Sequence, residues 1–570
     1  MNTVKLRNLL TEIYGDEAGT TALEQLLNII KDYHHKIPLP QSEGLSQCDS
    51  ILITYADQIQ QSGQTPLAVL ARFCEHYLMD TITGVHILPF YPWTSDDGFS
   101  VVDYREVDPR YGNWDSVAEL GHHFRLMFDA VINHISVSSA WFQSMLAGSP
   151  HYREYFVIPA EGDDLSRVVR PRALPLLTVY KAAEGETKVW TTFSADQVDL
   201  NYANPQVLLE IVEVLLFYVA KGAEFIRLDA IAYLWKEPAT ACINLPQTHR
   251  IIQLFRAVLD EIAPHVMLIT ETNVPHADNI SYFGDGANEA QMVYNFSLPP
   301  LVLHAFQTGS AVTLSRWAES LALPSDKATF FNFLASHDGI GLNPLRGILP
   351  ESEIDEIVRR VKSHRGLVSY KRDADGTELP YELNINYFDA LNDPDADEPL
   401  DRQVDRFVTA HAILLAMRGM PAIYFHSLVG SRSWLEGVQM TGHNRTINRR
   451  KLQWDELVRV LSNPITRQAR VFFRLGHLLK IRRRHPAFHP QGEQKVLPMG
   501  AEIFCLLRIS PDGTDHVVCL HNISSRAVSL EKIQLPDQVL PTPRNLISGR
   551  FIVNGSFLIE PYQTLWLASE

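Results

Sequence analysis

The sequence predicts a (β/α)8 TIM barrel of the α/β class, with small domains inserted between strands and an antiparallel β domain at the C-terminus. Short apolar runs recur eight times, at Ile51–Tyr55, Val85–Phe90, Leu126–Ile132, Phe225–Leu228, Val266–Thr270, Met292–Phe296, Phe330–Ala335 and Ala422–Phe425. Most of the spacers between them have helical length and patterning, which is the alternation of a parallel barrel rather than of a sandwich. Several of these runs lead into acids or imidazoles, as expected where buried strands open onto the face of a barrel that carries chemistry.

The first 48 residues read as two amphipathic helices, Val4–Tyr14 and Thr21–Tyr33, stopped by Pro38 and Pro40. They form an N-terminal helical extension (1–48). The barrel itself is expected at 49–134, 200–344 and 400–485. Two gaps exceed a simple crossover. Residues 135–199 form an inserted domain, and 345–399 form a second, looser insertion whose Asp-rich DADGTEL and NDPDADEP segments have loop chemistry. From 486 to 570 the helical pattern gives way to short β runs, Ile503–Leu507, His516–His521, Phe551–Val553 and Thr564–Leu567, separated by turns such as Pro511-Asp512-Gly513.

Composition narrows the partners. A chain of 570 residues with 46% hydrophobic residues buries a large core, and a formal charge of −16 disfavours both nucleic acid and an anionic membrane surface. No apolar run suits a signal peptide or a membrane span, so a soluble cytoplasmic protein is expected, acting as a monomer or homodimer on small molecules. The five cysteines, Cys48, Cys74, Cys242, Cys505 and Cys519, are scattered without CxxC spacing, which fits a reducing compartment and gives no zinc site.

The stretch EFIRLDAIAYLWKE, Glu224–Glu237, carries the sharpest chemical signal. Alternation along a strand puts Arg227 and Asp229 on one face, where the guanidinium keeps the carboxylate ionised and oriented, as a nucleophile requires. By themselves these two residues fit a structural ion pair closing a strand end equally well. Other strand ends supply further acids and imidazoles: Asp57, Asp96 and Asp97, then His134, Glu271, and His337 with Asp338. Glu271 follows Leu268-Ile269-Thr270, apolar surroundings that raise a carboxyl toward the acid/base range. Cleavage of a glycosidic bond with retention needs two carboxyls about 5–5.5 Å apart, one nucleophile and one acid/base.

With those residues in place, the sequence resembles the α-amylase superfamily of retaining glycoside enzymes over essentially the whole chain. The matching blocks are DAVINH at 129–134, FIRLDAIAY at 225–233, ITETN at 269–273 and FLASHD at 333–338. The resemblance implies that Asp229 is the nucleophile, Glu271 the acid/base and Asp338 a third carboxylate gripping the glucosyl ring, with Arg227, His134 and His337 around it. Details are similar to the sucrose phosphorylase branch: LITYADQI at 52–59, HILPFYPWTSDDGF at 86–99, RPRALP at 170–175, SLPPLVLHA at 297–305, SHDGIGLNPLRGILP at 336–350 and HNRTINR at 443–449. By that likeness Asp96 and Arg445 grip the far hydroxyls of glucose, Phe99 stacks nearby, and Arg172 and Tyr381 meet phosphate.

The sequence departs from sucrose phosphorylases at Leu379-Pro380-Tyr381-Glu382-Leu383-Asn384 and at Thr272-Asn273-Val274-Pro275-His276, positions that shape the acceptor pocket in that branch. The pattern is closer to 2-O-α-glucosylglycerate phosphorylases, which share the chain length, the helical extension and the TETNVPH and RPRALPLLT runs. The implied reaction is phosphorolysis of glucosylglycerate to α-glucose 1-phosphate and glycerate, with inorganic phosphate as co-substrate and no cofactor or metal. Asn133 is similar to a calcium ligand of some amylases, but the branch is not calcium-dependent. Candidate acceptor contacts are Lys236, Arg172, Tyr381 and Glu382. Rival readings are a sucrose phosphorylase, a hydrolytic α-glucosidase, and a non-catalytic barrel partner of a transporter, the last disfavoured by the presence of Asp229, Glu271 and Asp338.

Overall fold

A computed structural model describes residues 2–171, 174–372, 378–531, 542–552 and 555–569. Eight parallel strands close into a barrel in sequential order: β1 (Ile51–Thr54), β2 (Gly84–Ile87), β3 (Arg125–Ala130), β4 (Ala223–Leu228), β5 (Met267–Thr270), β6 (Met292–Tyr294), β7 (Thr329–Asn332) and β8 (Met420–Tyr424). β8 returns to β1 with Ile51 opposite Ala422 and Ile53 opposite Tyr424. Strands β3 and β4 are buried along their whole length, so their sequences lack the alternation of a half-buried strand, and the charges they carry are paired across them, Arg125 with Glu224 and Asp129 with Arg227. Gly84 opens β2 where a Cβ would lie 2.5 Å from the Ile51 side chain and 3.1 Å from the Arg125 carbonyl, so the first three strands meet only because that position has no side chain.

The apolar runs extend past the strands they mark. β3 stops at Ala130 and β7 at Asn332, while the hydrophobic sequence continues to Ile132 and Ala335. There the backbone has left the sheet while Val131, Ile132, Phe333 and Leu334 stay buried and Ala335 is half-buried, so burial rather than strand pairing explains their character.

The N-terminal extension is two helices, α1 (Thr3–Tyr14) and α2 (Asp16–Tyr33), joined by Gly15 alone at φ 81°. The second begins earlier than the sequence suggests because Gly15 makes the turn unaided and Asp16 and Glu17 suit a helix N-terminus. Leu6, Leu9, Leu10, Leu23, Leu26 and Ile30 line the face laid on the barrel's outer helices Pro205–Ala220 and Pro246–Ile262.

In the first insertion, His134–Ser136 pairs antiparallel with Gln197–Asp199, and Leu177–Ala182 forms a hairpin with Gly185–Trp190. The second insertion is more ordered than its acidic composition suggests. It holds a helix, Glu351–Ser363, and a hairpin of Leu367–Arg372 with Glu378–Asn384, to which Ile340–Gly341 adds a third strand. Ile354, Ile357, Val358 and Val361 give that helix a buried stripe between exposed charges. Tyr381 and Glu382 therefore sit on a strand, not in a loop, and most of DADGTEL lies outside the described residues.

The C-terminal domain contains a five-stranded antiparallel sheet, Glu493–Val496, Ile503–Ile509, His516–Asn522, Thr564–Ser569 and Pro543–Asn545, beside a pair formed by Val528–Glu531 and Ser556–Ile559. The strand expected at 551–553 is replaced by a single bridge from Phe551 to Arg544; Val553 lies outside the described residues. Among the described residues, no helix is long and apolar enough to cross a membrane.

Candidate active site

The C-terminal ends of β4, β5 and the segment after β7 bring Asp229, Glu271 and Asp338 to one cavity, which Asp96, Phe99, His134, His337, Tyr381, Glu382 and Arg445 also line. Arg227 lies beneath it. The register of β3 on β4 sets Asp129 directly opposite Arg227, and the guanidinium Nη1 is shared between Asp129 and Asp229, the latter at 2.7 Å. On its far side Asp129 meets His86 Nε2 at 2.6 Å. Burial alone would raise the Asp129 carboxyl, but Arg227 and His86 outweigh it and bring it down to about 2. A column of polar contacts, His86–Asp129–Arg227–Asp229, thus supports the nucleophile candidate from inside the barrel, with burial favouring the neutral form of His86.

Asp229 ends β4, and the next residue, Ala230, adopts a left-handed conformation at φ 48°. That turn is costly for a residue with a side chain, and it aims the Ala230 amide at Glu271 Oε2, which accepts its hydrogen bond at 2.9 Å. Arg227 Nη2 lies 3.8 Å from the same oxygen. Burial raises both carboxyls; Glu271 and Asp129 raise Asp229 further, while Arg227 lowers both. Two buried carboxyls facing one cavity share a proton. The close Arg227 contact to Asp229 favours the negative charge there and the proton on Glu271.

The loop bearing Asp96 is strained as well. Asp96 and Asp97 both have positive φ, 53° and 50°, and Gly98 follows at 110° where a Cβ would strike the Pro89 carbonyl at 2.5 Å. The first insertion fastens this loop. Asp196 accepts hydrogen bonds from Thr94 Oγ1 at 2.6 Å, Ser100 Oγ at 2.8 Å and Ser136 Oγ at 3.3 Å, and from Ser95.

Asp96 and Arg445, both expected at the far hydroxyls of glucose, line the same cavity, and the ion-pair partner of Asp96 is Arg449. Arg449 reaches Asp96 at 3.4 Å and Asp97 at 2.9 Å, and donates Nε–H to the His337 carbonyl at 2.9 Å. Arg445 instead pairs with Asp338 and Glu382. The two arginines stand four residues apart in HNRTINR, on successive faces of the single-turn helix Asn444–Asn448 and its cap, and only three-dimensional placement distinguishes them. Arg449 is thus a site residue missed in the sequence, along with Asp196 and Ala230, whose roles depend on backbone shape.

Other candidates fall as follows. Phe99 stacks face to face on His337, centroids 4.6 Å apart and planes within 5°. Burial, with Arg227 and Arg449 adding to it, pushes His337 well below the usual imidazole range, so that ring is neutral. His134 donates Nε2–H to the Phe99 carbonyl at 2.9 Å and accepts from Asn133 Nδ2 at 3.3 Å, so both its nitrogens serve the protein. Lys236 spends its ammonium on Asp199 at 2.7 Å and Asn133 Oδ1 at 2.8 Å and does not face the cavity, which removes it as an acceptor contact. Asp57 is paired with Lys451 at 2.6 Å, away from the cavity. Glu382 lines the cavity but is 2% exposed and engaged by Arg445. Arg172 lies outside the described residues.

Residues 76–339 match the family described as alpha amylase, catalytic domain. A glucosylglycerate phosphorylase of Spirochaeta thermophila is 50% identical over 91% of this chain and 89% of its own length. The chain belongs to the α-amylase family. Within the α-amylase family it groups with the glycoside phosphorylases, which include a sucrose phosphorylase of Agrobacterium vitis, 31% identical over 78% of this chain and 89% of its own length. The sucrose 6F-phosphate phosphorylase structure from Thermoanaerobacter thermosaccharolyticum superposes with a TM-score of 0.73 at 24% identity, covering 86% of this chain and 95% of that one, and shares the α-amylase family fold.

Proposed function

We propose that the protein phosphorolyses 2-O-α-D-glucosyl-D-glycerate to α-D-glucose 1-phosphate and D-glycerate by double displacement. The observation that carries the mechanism is the shared environment of Asp229 and Glu271, two buried carboxyls with one arginine beneath them and one amide aimed at the second. Asp229 attacks the anomeric carbon while Glu271 passes its proton to the departing glycerate oxygen, leaving a β-glucosyl ester on Asp229. Phosphate then attacks the same carbon from the vacated side, Glu271 takes the phosphate proton, and the ester bond to Asp229 breaks. Asp338 grips the ring hydroxyls on the side away from the leaving group, and Asp96, held by Arg449, closes the end of the donor pocket. That closure restricts the donor to a single glucosyl unit.

The choice of glycerate rests on the 50% identity to a glucosylglycerate phosphorylase, against 31% to a sucrose phosphorylase. No metal or organic cofactor is required in this reading, since the Lys236 ammonium already provides the cation between Asn133 and Asp199. Incubation with glucosylglycerate or sucrose, with and without phosphate, tests it. Glucose 1-phosphate is expected from glucosylglycerate in a phosphate-dependent reaction; release of free glucose, or faster cleavage of sucrose, would overturn the assignment.

A further inference from the structure

We propose that Glu382 and Arg445 are a positioning pair for Asp338, not contacts to substrate. Arg445 points its fork at Glu382, Nε to Oε1 at 3.0 Å and Nη2 to Oε2 at 2.6 Å, and its remaining Nη1 reaches Asp338 Oδ1. Planar two-point pairing of this kind fixes the plane and direction of a guanidinium, which a single contact does not. Glu382 is fixed in turn: Asn384 Nδ2 donates to its Oε1 at 2.6 Å, and Ser369 Oγ donates to Asn384 Oδ1 at 2.7 Å. The chain of contacts therefore runs from the hairpin of the second insertion to the carboxyl that closes on the sugar.

Burial and backbone shape agree with this arrangement. Glu382 is almost fully buried, with both oxygens engaged by Arg445 and Asn384, so neither is left to read an acceptor. Asp338 and Glu382 hold the Arg445 guanidinium charged against the burial that would deprotonate it. The hairpin lies this close to the site because Gly339, next to Asp338, has no side chain: a Cβ there would sit 2.5 Å from both Glu382 Cγ and the Leu383 carbonyl. With Oδ1 of Asp338 in an ion pair with the buried Arg445 guanidinium, Oδ2, which lies 3.5 Å from His337 Nε2, is the oxygen left for the glucosyl ring. A carboxylate so held pays its ordering entropy before substrate arrives, and its benefit is greatest where the ring flattens toward the oxocarbenium geometry.

The inference rests on Asp338 being the carboxylate that grips the donor, and the test separates the two. Wild type is first assayed on glucosylglycerate with phosphate; lack of glucose 1-phosphate bears on the proposed reaction alone. The variants are then compared with wild type on any α-glucosyl donor that wild type turns over. Glu382→Gln keeps shape and removes charge, and Arg445→Lys keeps charge and removes the fork. Each is expected to lower kcat by at least about fivefold with KM for donor and for phosphate within about threefold, and the double variant to be no slower than the worse single, because the residues act as one unit. Melting temperatures are measured alongside, and a variant that does not fold leaves the other to decide. A smaller loss in kcat, a larger change in either KM, or losses that multiply in the double variant overturns the proposal.

Discussion

The two walls of the cavity are built differently. On the wall proposed to hold the donor, Asp229, Glu271 and Arg227 come from the ends of neighbouring strands β4 and β5, with Asp129 fixed opposite Arg227 by sheet register. On the wall proposed to meet the acceptor, Asn273, Val274, Tyr381 and Pro171 come from segments beyond the barrel strands, in three different connections. The donor-wall carboxylates are buried beside arginines, whereas the acceptor side presents the uncharged Asn273, whose Oδ1, like Arg227 Nε on the donor side, is buried without a hydrogen-bond partner. A rigid wall recognises what all relatives share, and a wall of connections can change its ligand while the barrel stays as it is.

The largest way to test that contrast is Asp229→Asn, which removes the nucleophile at constant shape; kcat is expected to fall by roughly 10⁴-fold or more, with the barrel still folded by circular dichroism. Arg449→Lys leaves Asp96 and Asp97 poorly answered and is expected to cost about 2–3 kcal/mol, roughly 30- to 150-fold in kcat/KM for the donor. Arg449, not Arg445, is in ion-pair contact with Asp96, and an effect confined to Arg445 would reverse that placement.

The pH profile offers a finer probe. Asp229 must be ionised to attack, and burial together with Asp129 raises its carboxyl above the ordinary range, so activity falls on the acid side at a pH higher than a free carboxyl would give. With α-glucosyl fluoride, whose leaving group needs no acid, Glu271→Gln keeps the uncharged neighbour of the protonated acid, so the acid limb should stay where it is; a limb that moves to lower pH would place negative charge on Glu271 while Asp229 titrates.

Smaller effects belong to the acceptor wall. Asn273→Ala is expected to shift the preference among acceptors by about tenfold in the synthetic direction while the slow hydrolysis of glucose 1-phosphate without acceptor stays within about threefold. A matched loss in both would tie Asn273 to the donor wall. Chelators should leave the rate unchanged, since the cation at Asn133 and Asp199 is the side chain of Lys236.

Legibility followed the same division. The eight apolar runs marked the barrel, and the acids at their ends marked the three carboxyls that the structure gathers around one cavity, because a buried parallel strand leaves both a hydrophobic run and a polar terminus in the sequence. Arg449 and Arg445 share one polar run, and nothing in composition says which of two arginines four residues apart turns to which acid. The left-handed residues Asp96, Asp97 and Ala230 were equally hidden, since non-glycine residues rarely adopt that conformation and carry no letter that announces it. The second insertion misled through its acidic segments, whose charge masked the buried stripe Ile354, Ile357, Val358 and Val361.

Asp196 also bears on heat tolerance. This one carboxylate collects hydroxyls from Thr94, Ser95, Ser100 and Ser136, so the strained loop at Asp96, held on its other side by Arg449, depends on the first insertion staying docked. The insertion is a small appendage beside a closed barrel, and small units loosen at lower temperature than the cores they decorate. Warming should therefore silence the enzyme several degrees before the barrel melts, and cooling should restore it, with glucose in the donor pocket narrowing the gap.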